Sequence, residues 1–257
     1  MGYDLGVEAF DHNTPITFKM RDEYLIHSDY DLVQGSKLFC LLLHGDQTSR
    51  EGARRYALVF KELGFSTIVY DERSHGDNVH ESVSMGKMES QDLAEIIDRV
   101  YEKFGKDITL GLQGVSMGGA IVLLSTRYSQ KFSFIVSDSA YHDIGTVVKD
   151  ILHKYHLPLK PLWPLINQDL QKLGDFEYDD TDVSIALKNN KIPILLLHGG
   201  KDTYVTPFQA QQIYNSLSSY KELVYFPDAV HASCITVDRA KYKDIVHKFL
   251  TNIKVIK

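Results

Sequence analysis

A serine flanked by glycines, in the order Gly114-Val115-Ser116-Met117-Gly118, is the stretch of this chain whose residue types suit covalent chemistry. The residues before it, 107–112, predict a short buried strand, and those after it, 119–127, predict a helix with an apolar face. A strand that turns sharply into a helix at this pattern exposes the serine hydroxyl in a strained backbone conformation. We therefore expect Ser116 to be a nucleophile.

A serine hydroxyl needs a base to take its proton, and the base needs an acid to orient it. Asp202 follows the predicted strand that ends near Leu197, and His231 follows the last predicted strand. Both therefore lie at carboxyl ends of strands, at the same edge of the sheet as Ser116. We expect Ser116, Asp202 and His231 to be the catalytic residues, with Asp138 as an alternative orienting acid after an earlier strand.

Negative charge on a substrate carbonyl oxygen must be met by fixed donors, usually backbone N–H groups. We expect one donor to be the N–H of Met117, at the start of the helix, and the other to be the N–H of Asp46. Gly45 would let this loop approach the substrate closely. Because a carboxylate near the oxyanion would oppose catalysis, we expect the Asp46 side chain to point away, toward Arg50 or a polar group of the substrate.

The elements that must position these residues alternate between strand and helix. A parallel sheet with helices on both faces is the arrangement that such alternation favours, so the predicted fold class is α/β. Thr48 with Glu51 has the spacing of a capping box, which predicts a helix over 49–63. Besides the strand before Ser116, apolar runs predict strands at 38–43, 66–70, 132–136, 192–197 and 223–226.

The region 141–186 interrupts this alternation, because it is far longer than one crossover helix requires. A helical stripe of apolar residues runs from Ile144 to Tyr155, and Pro158, Pro161 and Pro164 are then expected to break the chain around Trp163. We predict a single domain over 1–257 with a small helical cap inserted at 141–186, over the edge of the sheet where ligands bind. The alternative is a surface excursion that packs on the core.

Composition narrows the possible partners and the compartment. With 28 basic and 34 acidic residues the net charge is −6, which argues against nucleic acid or an anionic membrane surface as the main partner. Residues 1–10 lack a signal peptide pattern, and no apolar stretch is long enough to span a bilayer. Cys40 and Cys234 are then expected to be reduced thiols in a cytoplasmic protein.

No cofactor and no metal are expected. His153 and His156 have a spacing that could bind a metal, but no carboxylate or cysteine completes a ligand set around them. No stretch of the chain matches a phosphate-binding loop or a dinucleotide-binding fingerprint.

The chain contains, in order, the motifs His44-Gly45, the turn from Tyr70 to Gly76, Gly114-x-Ser116-x-Gly118-Gly119, Gly200-x-Asp202 and His231. Through these motifs it resembles, from about Leu38 to Leu250, the α/β-hydrolase superfamily, closest to bacterial serine hydrolases grouped with carboxylesterases, monoacylglycerol lipases and serine aminopeptidases. The resemblance implies an eight-stranded sheet, a triad of Ser116, His231 and Asp202, and an oxyanion hole at Asp46 and Met117. The chain departs from the family pattern at Ser74, where the usual turn has a glycine.

The expected function is hydrolysis of carboxylic esters with small or short-chain acyl groups, through an acyl-enzyme intermediate. A thioesterase or a small-peptide aminopeptidase with the same triad is the alternative, and a binding protein with an inactive hydrolase fold is a third. An aminopeptidase would need an acidic cap residue to hold the substrate ammonium; the candidates are Asp143, Asp150, Asp169 and Asp175.

Overall fold

One eight-stranded sheet organises the part of the chain that the computed structural model describes, residues 13–257. Its strand order is β1-β2-β4-β3-β5-β6-β7-β8. The six strands from β3 to β8 pair in parallel, whereas β1 and β2 form an antiparallel pair that joins β4 at the edge. The strands are β1 Thr14–Lys19, β2 Leu25–Asp31, β3 Leu38–Leu43, β4 Ser66–Tyr70, β5 Thr109–Val115, β6 Phe134–Asp138, β7 Ile194–Gly199 and β8 Lys221–Phe226.

Helices cover both faces of this sheet, as the alternation of strands and helices predicted. The helices are α1 Arg50–Glu62, α2 Lys87–Phe104, α3 Met117–Leu124, α4 Ile144–Lys154, α5 Leu159–Gly174, α6 Tyr178–Thr181, α7 Val183–Leu187, α8 Pro207–Ser216, α9 Cys234–Val237 and α10 Arg239–Asn252. Alternate residues of a strand point to opposite faces, so Leu41 packs in one apolar cluster with α2 and α3, and Leu42 packs in another with α1 and α10.

Helix α1 begins one residue later than the capping-box spacing predicted. Its N-cap is Ser49, whose hydroxyl accepts a hydrogen bond from the N–H of Glu51 at 3.4 Å. Thr48 instead donates its hydroxyl to the carbonyl oxygen of Gly45 at 2.8 Å. The Thr48 hydroxyl therefore closes the loop between β3 and α1 and does not cap the helix.

The region 141–186 contains four helices, α4 to α7, and the expectation that Pro161 and Pro164 break the chain around Trp163 is wrong. Pro158 precedes α5, and Pro161 lies in its first turn, where a missing N–H costs no hydrogen bond. Pro164 lies inside α5 and is tolerated there. The ring of Trp163 lies 5.6 Å from that of Tyr178, measured between centroids, so α5 packs toward α6.

Several expectations concern features other than the arrangement of strands and helices. Residues 1–10, for which no signal peptide was expected, lie outside the described residues, and the domain bounds 1–257 and 141–186 stay predictions. Within 13–257, no helix has the length and apolar character to cross a membrane. In the same range, no group of three His, Cys, Asp or Glu side chains is arranged to hold a metal ion. Cys40 and Cys234 are buried free thiols.

Candidate active site

Ser116 lies in a strained turn between β5 and α3. Its backbone φ is 55° and its ψ is −118°, a combination that a residue with a side chain rarely adopts. Its N–H donates to the carbonyl oxygen of Asp138 at 2.8 Å, and its own carbonyl oxygen accepts from the N–H of Ala120 at 3.0 Å. These two hydrogen bonds pair both backbone polar groups of Ser116 within the protein. The side chain of Ser116 is therefore the group that is available at the carboxyl edge of the sheet.

The flanking glycines are required by close packing around this turn. A Cβ on Gly114 would lie 2.1 Å from the carbonyl oxygen of Gly118. A Cβ on Gly118 would lie 2.3 Å from the carbonyl oxygen of His44, which in fact accepts the Gly118 N–H at 3.1 Å. Strand β5, helix α3 and the loop after β3 therefore meet without room for side chains.

The structure brings together the three residues that the sequence predicted as catalytic. Ser116 Oγ lies 2.8 Å from His231 Nε2, and His231 Nδ1 lies 2.7 Å from Asp202 Oδ2. Asp202 Oδ1 accepts the N–H groups of Tyr204 and Val205, both at 2.9 Å. The loops after β7 and β8 thus deliver Asp202 and His231 to the edge where β5 delivers Ser116.

Electrostatics favour an ionised Asp202. Burial raises its pKa, but the hydrogen bonds from His198 and His231 outweigh burial and lower the pKa to about 2. A carboxylate at Nδ1 fixes the His231 tautomer in which Nε2 carries a lone pair toward the Ser116 hydroxyl. The contact with His198, whose Nε2 lies 3.4 Å from Asp202 Oδ2, was missed by the sequence analysis, although the two residues are four apart.

The alternative acid, Asp138, has other partners. The hydroxyl of Ser139 donates to its Oδ1 at 2.9 Å, and that of Tyr56 lies 3.4 Å from its Oδ2. Burial raises the pKa of Asp138, against the lowering effect of hydrogen bonds from Cys234 and Ser139. Asp138 therefore belongs to a buried polar cluster behind the His231 loop, and Asp202 is the acid in contact with the imidazole.

The two expected oxyanion donors lie on either side of Ser116. Met117 is the first residue of α3, where the N–H has no partner within the helix and the helix dipole favours negative charge. On the other side, a Cβ on Gly45 would lie 3.2 Å from Ser116 Cβ. The loop that carries Asp46 therefore passes directly against Ser116.

The side chain of Asp46 has a different partner from the one expected. Its Oδ1 lies 3.2 Å from His75 Nε2, and the hydrogen bond from His75 lowers the pKa of Asp46. The expected contact with Arg50 is wrong, because Arg50 binds Asp71 and lies 2.8 Å from Asp29. The sequence analysis included His75 only within the turn from Tyr70 to Gly76 and did not identify it as the partner of Asp46.

The side chain of His44 holds the loop after β3 in place through hydrogen bonds. Its Nδ1 lies 2.7 Å from the carbonyl oxygen of Gly45, and its Nε2 accepts the N–H of Glu72 at 2.9 Å. Burial lowers the pKa of His44 to about 4, so the ring is neutral near pH 7.

Tyr204, which the sequence analysis also missed, packs edge-on against His231 with ring centroids 5.1 Å apart.

Comparison with known proteins agrees with this architecture. Among the solved structures that share the fold is the Pyrococcus furiosus esterase Pf2001, with a TM-score of 0.78, 21% identity and coverage of 97% of this chain and 92% of that one. Another is acetyl xylan esterase 1 from Thermoanaerobacterium, with a TM-score of 0.70, 18% identity and coverage of 94% of this chain and 83% of that one. The Bacillus subtilis protein YqkD is 24% identical over 256 residues, which cover 98% of this chain and 77% of YqkD.

A family model described as serine aminopeptidase, S33, matches residues 34–191, more than half of the chain. The matched range includes Ser116 and the loop of Asp46, whereas Asp202 and His231 lie beyond it. Together with the esterase folds above, this match supports a hydrolase. The chain therefore belongs to the serine aminopeptidase S33 family of α/β hydrolases.

Proposed function

We propose that this protein is a serine hydrolase that cleaves carboxylic esters with small or short-chain acyl groups. The observation that carries the proposal is the continuous contact from Ser116 Oγ to His231 Nε2 at 2.8 Å and from His231 Nδ1 to Asp202 Oδ2 at 2.7 Å. This arrangement supports nucleophilic catalysis, because each group activates or orients the next.

In the proposed acylation, Ser116 Oγ attacks the ester carbonyl while His231 Nε2 takes the hydroxyl proton. The carbonyl oxygen becomes negatively charged and is stabilised by the N–H groups of Met117 and Asp46. As the C–O bond of the ester breaks, His231 returns the proton to the departing alcohol. The acyl group is then bound covalently to Ser116, and Asp202 has stayed ionised throughout.

Deacylation repeats these steps with water as the nucleophile. His231 takes a proton from water, the resulting oxygen attacks the acyl carbonyl, and the tetrahedral species again meets the two backbone donors. Collapse releases the carboxylic acid, and Ser116 recovers its proton from His231. The sequence of steps consumes one water and one ester and needs no further reactant.

The cap motivates the preference for small acyl groups, because its short span leaves little length of wall for a long chain. The residues proposed for that wall are Leu162, Trp163, Leu165 and Ile166. Trp163 packs against Tyr178, and Leu165 is 64% exposed, so the cap offers limited apolar enclosure. Chromogenic esters from acetate to decanoate test this point. Highest kcat/KM on the longest chain would refute it.

A fluorophosphonate probe tests the nucleophile itself. Wild type is expected to be labelled on Ser116, as read by peptide mass spectrometry, and Ser116→Ala is expected to lower ester turnover on the order of a million-fold. Ser218→Ala, an exposed serine in a loop, is the matched control and should behave as wild type. Saturable binding of esters without labelling or turnover would instead indicate the inactive binding protein.

The bond that is cleaved is tested with matched ester, thioester and aminoacyl-amide substrates. Two of the acids considered for an aminopeptidase are used elsewhere: Asp143 caps α4 through the N–H of Thr146 at 2.7 Å, and Asp150 Oδ2 lies 3.0 Å from both Thr206 Oγ1 and Gln209 Nε2. This use favours the ester. Faster turnover of the aminoacyl amide would overturn that preference.

A further inference from the structure

Two histidines next to the proposed oxyanion loop have opposite hydrogen-bonding environments. At Nδ1, His44 faces acceptors, the carbonyl oxygen of Gly45 and the hydroxyl oxygen of Thr48 at 3.3 Å, and at Nε2 it faces one donor, the N–H of Glu72. A neutral imidazole satisfies both, because it has one N–H and one lone pair. His44 therefore needs no charge.

His75 faces an acceptor at each ring nitrogen. Its Nδ1 lies 2.9 Å from the carbonyl oxygen of Arg73, and its Nε2 lies 3.2 Å from Asp46 Oδ1. A carbonyl oxygen has no proton to give, and the lowered pKa of Asp46 keeps its carboxyl ionised near neutral pH. A neutral ring would direct one lone pair at an oxygen, so this geometry calls for the imidazolium with a hydrogen on both nitrogens.

The surroundings of His75 agree with a positive charge. Burial lowers its pKa, but the hydrogen bonds to Asp46 and to the Arg73 carbonyl and the negative field of Asp46 and of Glu89 on α2 raise it overall. His44, whose ring centroid is 5.1 Å away, is neutral and does not compete.

Further titratable groups interact electrostatically with Asp46. Glu72 and the phenols of Tyr141 and Tyr204 lie within the electrostatic reach of the Asp46 carboxylate. Each of them is neutral or negative, so none supplies the positive charge that would offset Asp46. Among these neighbours, His75 is the group that does.

We propose that His75 is a positioning residue that, as an imidazolium, turns the Asp46 carboxylate aside and neutralises it, leaving the Asp46 N–H to face the oxyanion. The proposal rests on the proposed function, which gives the Asp46 N–H its role. An unpaired carboxylate beside Ser116 would repel the charge that develops on the substrate oxygen. The pair therefore explains how an aspartate is tolerated at this position.

A double-mutant cycle tests the proposal. The variants are His75→Gln, Asp46→Asn and the two combined, with kcat measured on an ester that wild type hydrolyses and thermal melts run on each. Loss of His75 should lower kcat about tenfold or more when Asp46 is present, and less than about threefold when residue 46 is asparagine. An equal loss in both backgrounds would show a merely structural role and overturn the proposal. His80→Gln, an exposed histidine in the same loop region, is the matched control.

The pH profile gives a second readout. Because the imidazolium loses its proton as pH rises, wild-type kcat should decline on the alkaline side, and the Asp46→Asn profile should lack that decline. An unchanged alkaline limb in Asp46→Asn would contradict the proposal.

Nitrogen NMR of the His75 ring separates this proposal from the proposed function, because it requires no turnover. Two protonated nitrogens are expected at neutral pH in wild type, and a neutral ring would overturn the inference even if Ser116 is labelled. Conversely, a charged His75 in a protein without hydrolase activity would contradict the function and leave the His75–Asp46 pair established.

Discussion

The hydroxyl of Ser139 accepts a hydrogen bond from the N–H of Ala232 at 3.3 Å and so ties the end of β6 to the loop that carries His231. The same hydroxyl donates to Asp138 at 2.9 Å. Asp138 therefore braces the His231 loop through Ser139, while Asp202 contacts the imidazole directly at 2.7 Å. The two buried carboxyls near His231 have separate tasks, one structural and one proposed to be catalytic.

Substitution of the two acids should distinguish these tasks. Asp202→Asn replaces the acceptor at His231 Nδ1 with an amide that also fits the wrong tautomer, so kcat should fall by about 10⁴. Asp138→Asn should change kcat by less than about tenfold but lower the free energy of unfolding by about 1–3 kcal/mol, because it disturbs a buried hydrogen-bonded group. Steady-state kinetics and urea unfolding measure both. Similar kcat losses in the two variants would contradict this division.

Gly45→Ala should impair catalysis more than stability. The added Cβ would lie 3.2 Å from Ser116 Cβ, a contact that small shifts of the loop relieve. Because those shifts displace the Asp46 N–H from the proposed oxyanion site, kcat should fall about tenfold to a hundredfold. Kinetics and thermal melts on the same preparation test this. A large loss in Tm with unchanged kcat would contradict the close placement of the loop as a catalytic requirement.

Gly118→Ala should show the opposite balance. Its Cβ would lie 2.3 Å from the backbone carbonyl oxygen of His44, and backbone cannot yield as a flexible side chain does. We expect a loss of about 1–3 kcal/mol in the free energy of unfolding, measured in urea, or failure to fold. Gly52→Ala is the control, because its Cβ would meet only the side chain of Thr48, at 3.3 Å or more. A stable Gly118→Ala protein would refute the packing argument.

The sequence revealed the parallel strands more readily than the edge of the sheet. Strands such as β3 are buried on both faces and consist of continuous apolar residues. β2 contains the buried acids Asp29 and Asp31, which pair with basic residues of α1, Asp29 with Arg54 at 2.6 Å and Asp31 with Lys61. Because those partners come from elsewhere in the chain, the local pattern of β2 is that of a polar loop.

Dependence on partners from distant parts of the chain also limits what the sequence says about the site. Ser116, Asp202 and His231 each follow a parallel strand, so topology alone predicts that they meet. The partner of Asp46 depends on the turn after β4, where Asp71 takes Arg50 and thereby leaves His75 to face Asp46. Competition between ion pairs is a tertiary property that spacing does not encode.

Acid titration of stability should report the ionised state of Asp202. Its pKa, about 2 in the folded protein, lies below the value of about 4 for an unfolded aspartate. Such a group stabilises the fold above about pH 4, and that contribution is lost as pH falls through about 2. The unfolding free energy of wild type minus that of Asp202→Asn should therefore shrink by about 2 kcal/mol as pH falls from about 4 toward 2. Urea unfolding across this range measures the difference, and since other carboxyls titrate in both proteins, a difference independent of pH would mean that Asp202 is not held as a carboxylate.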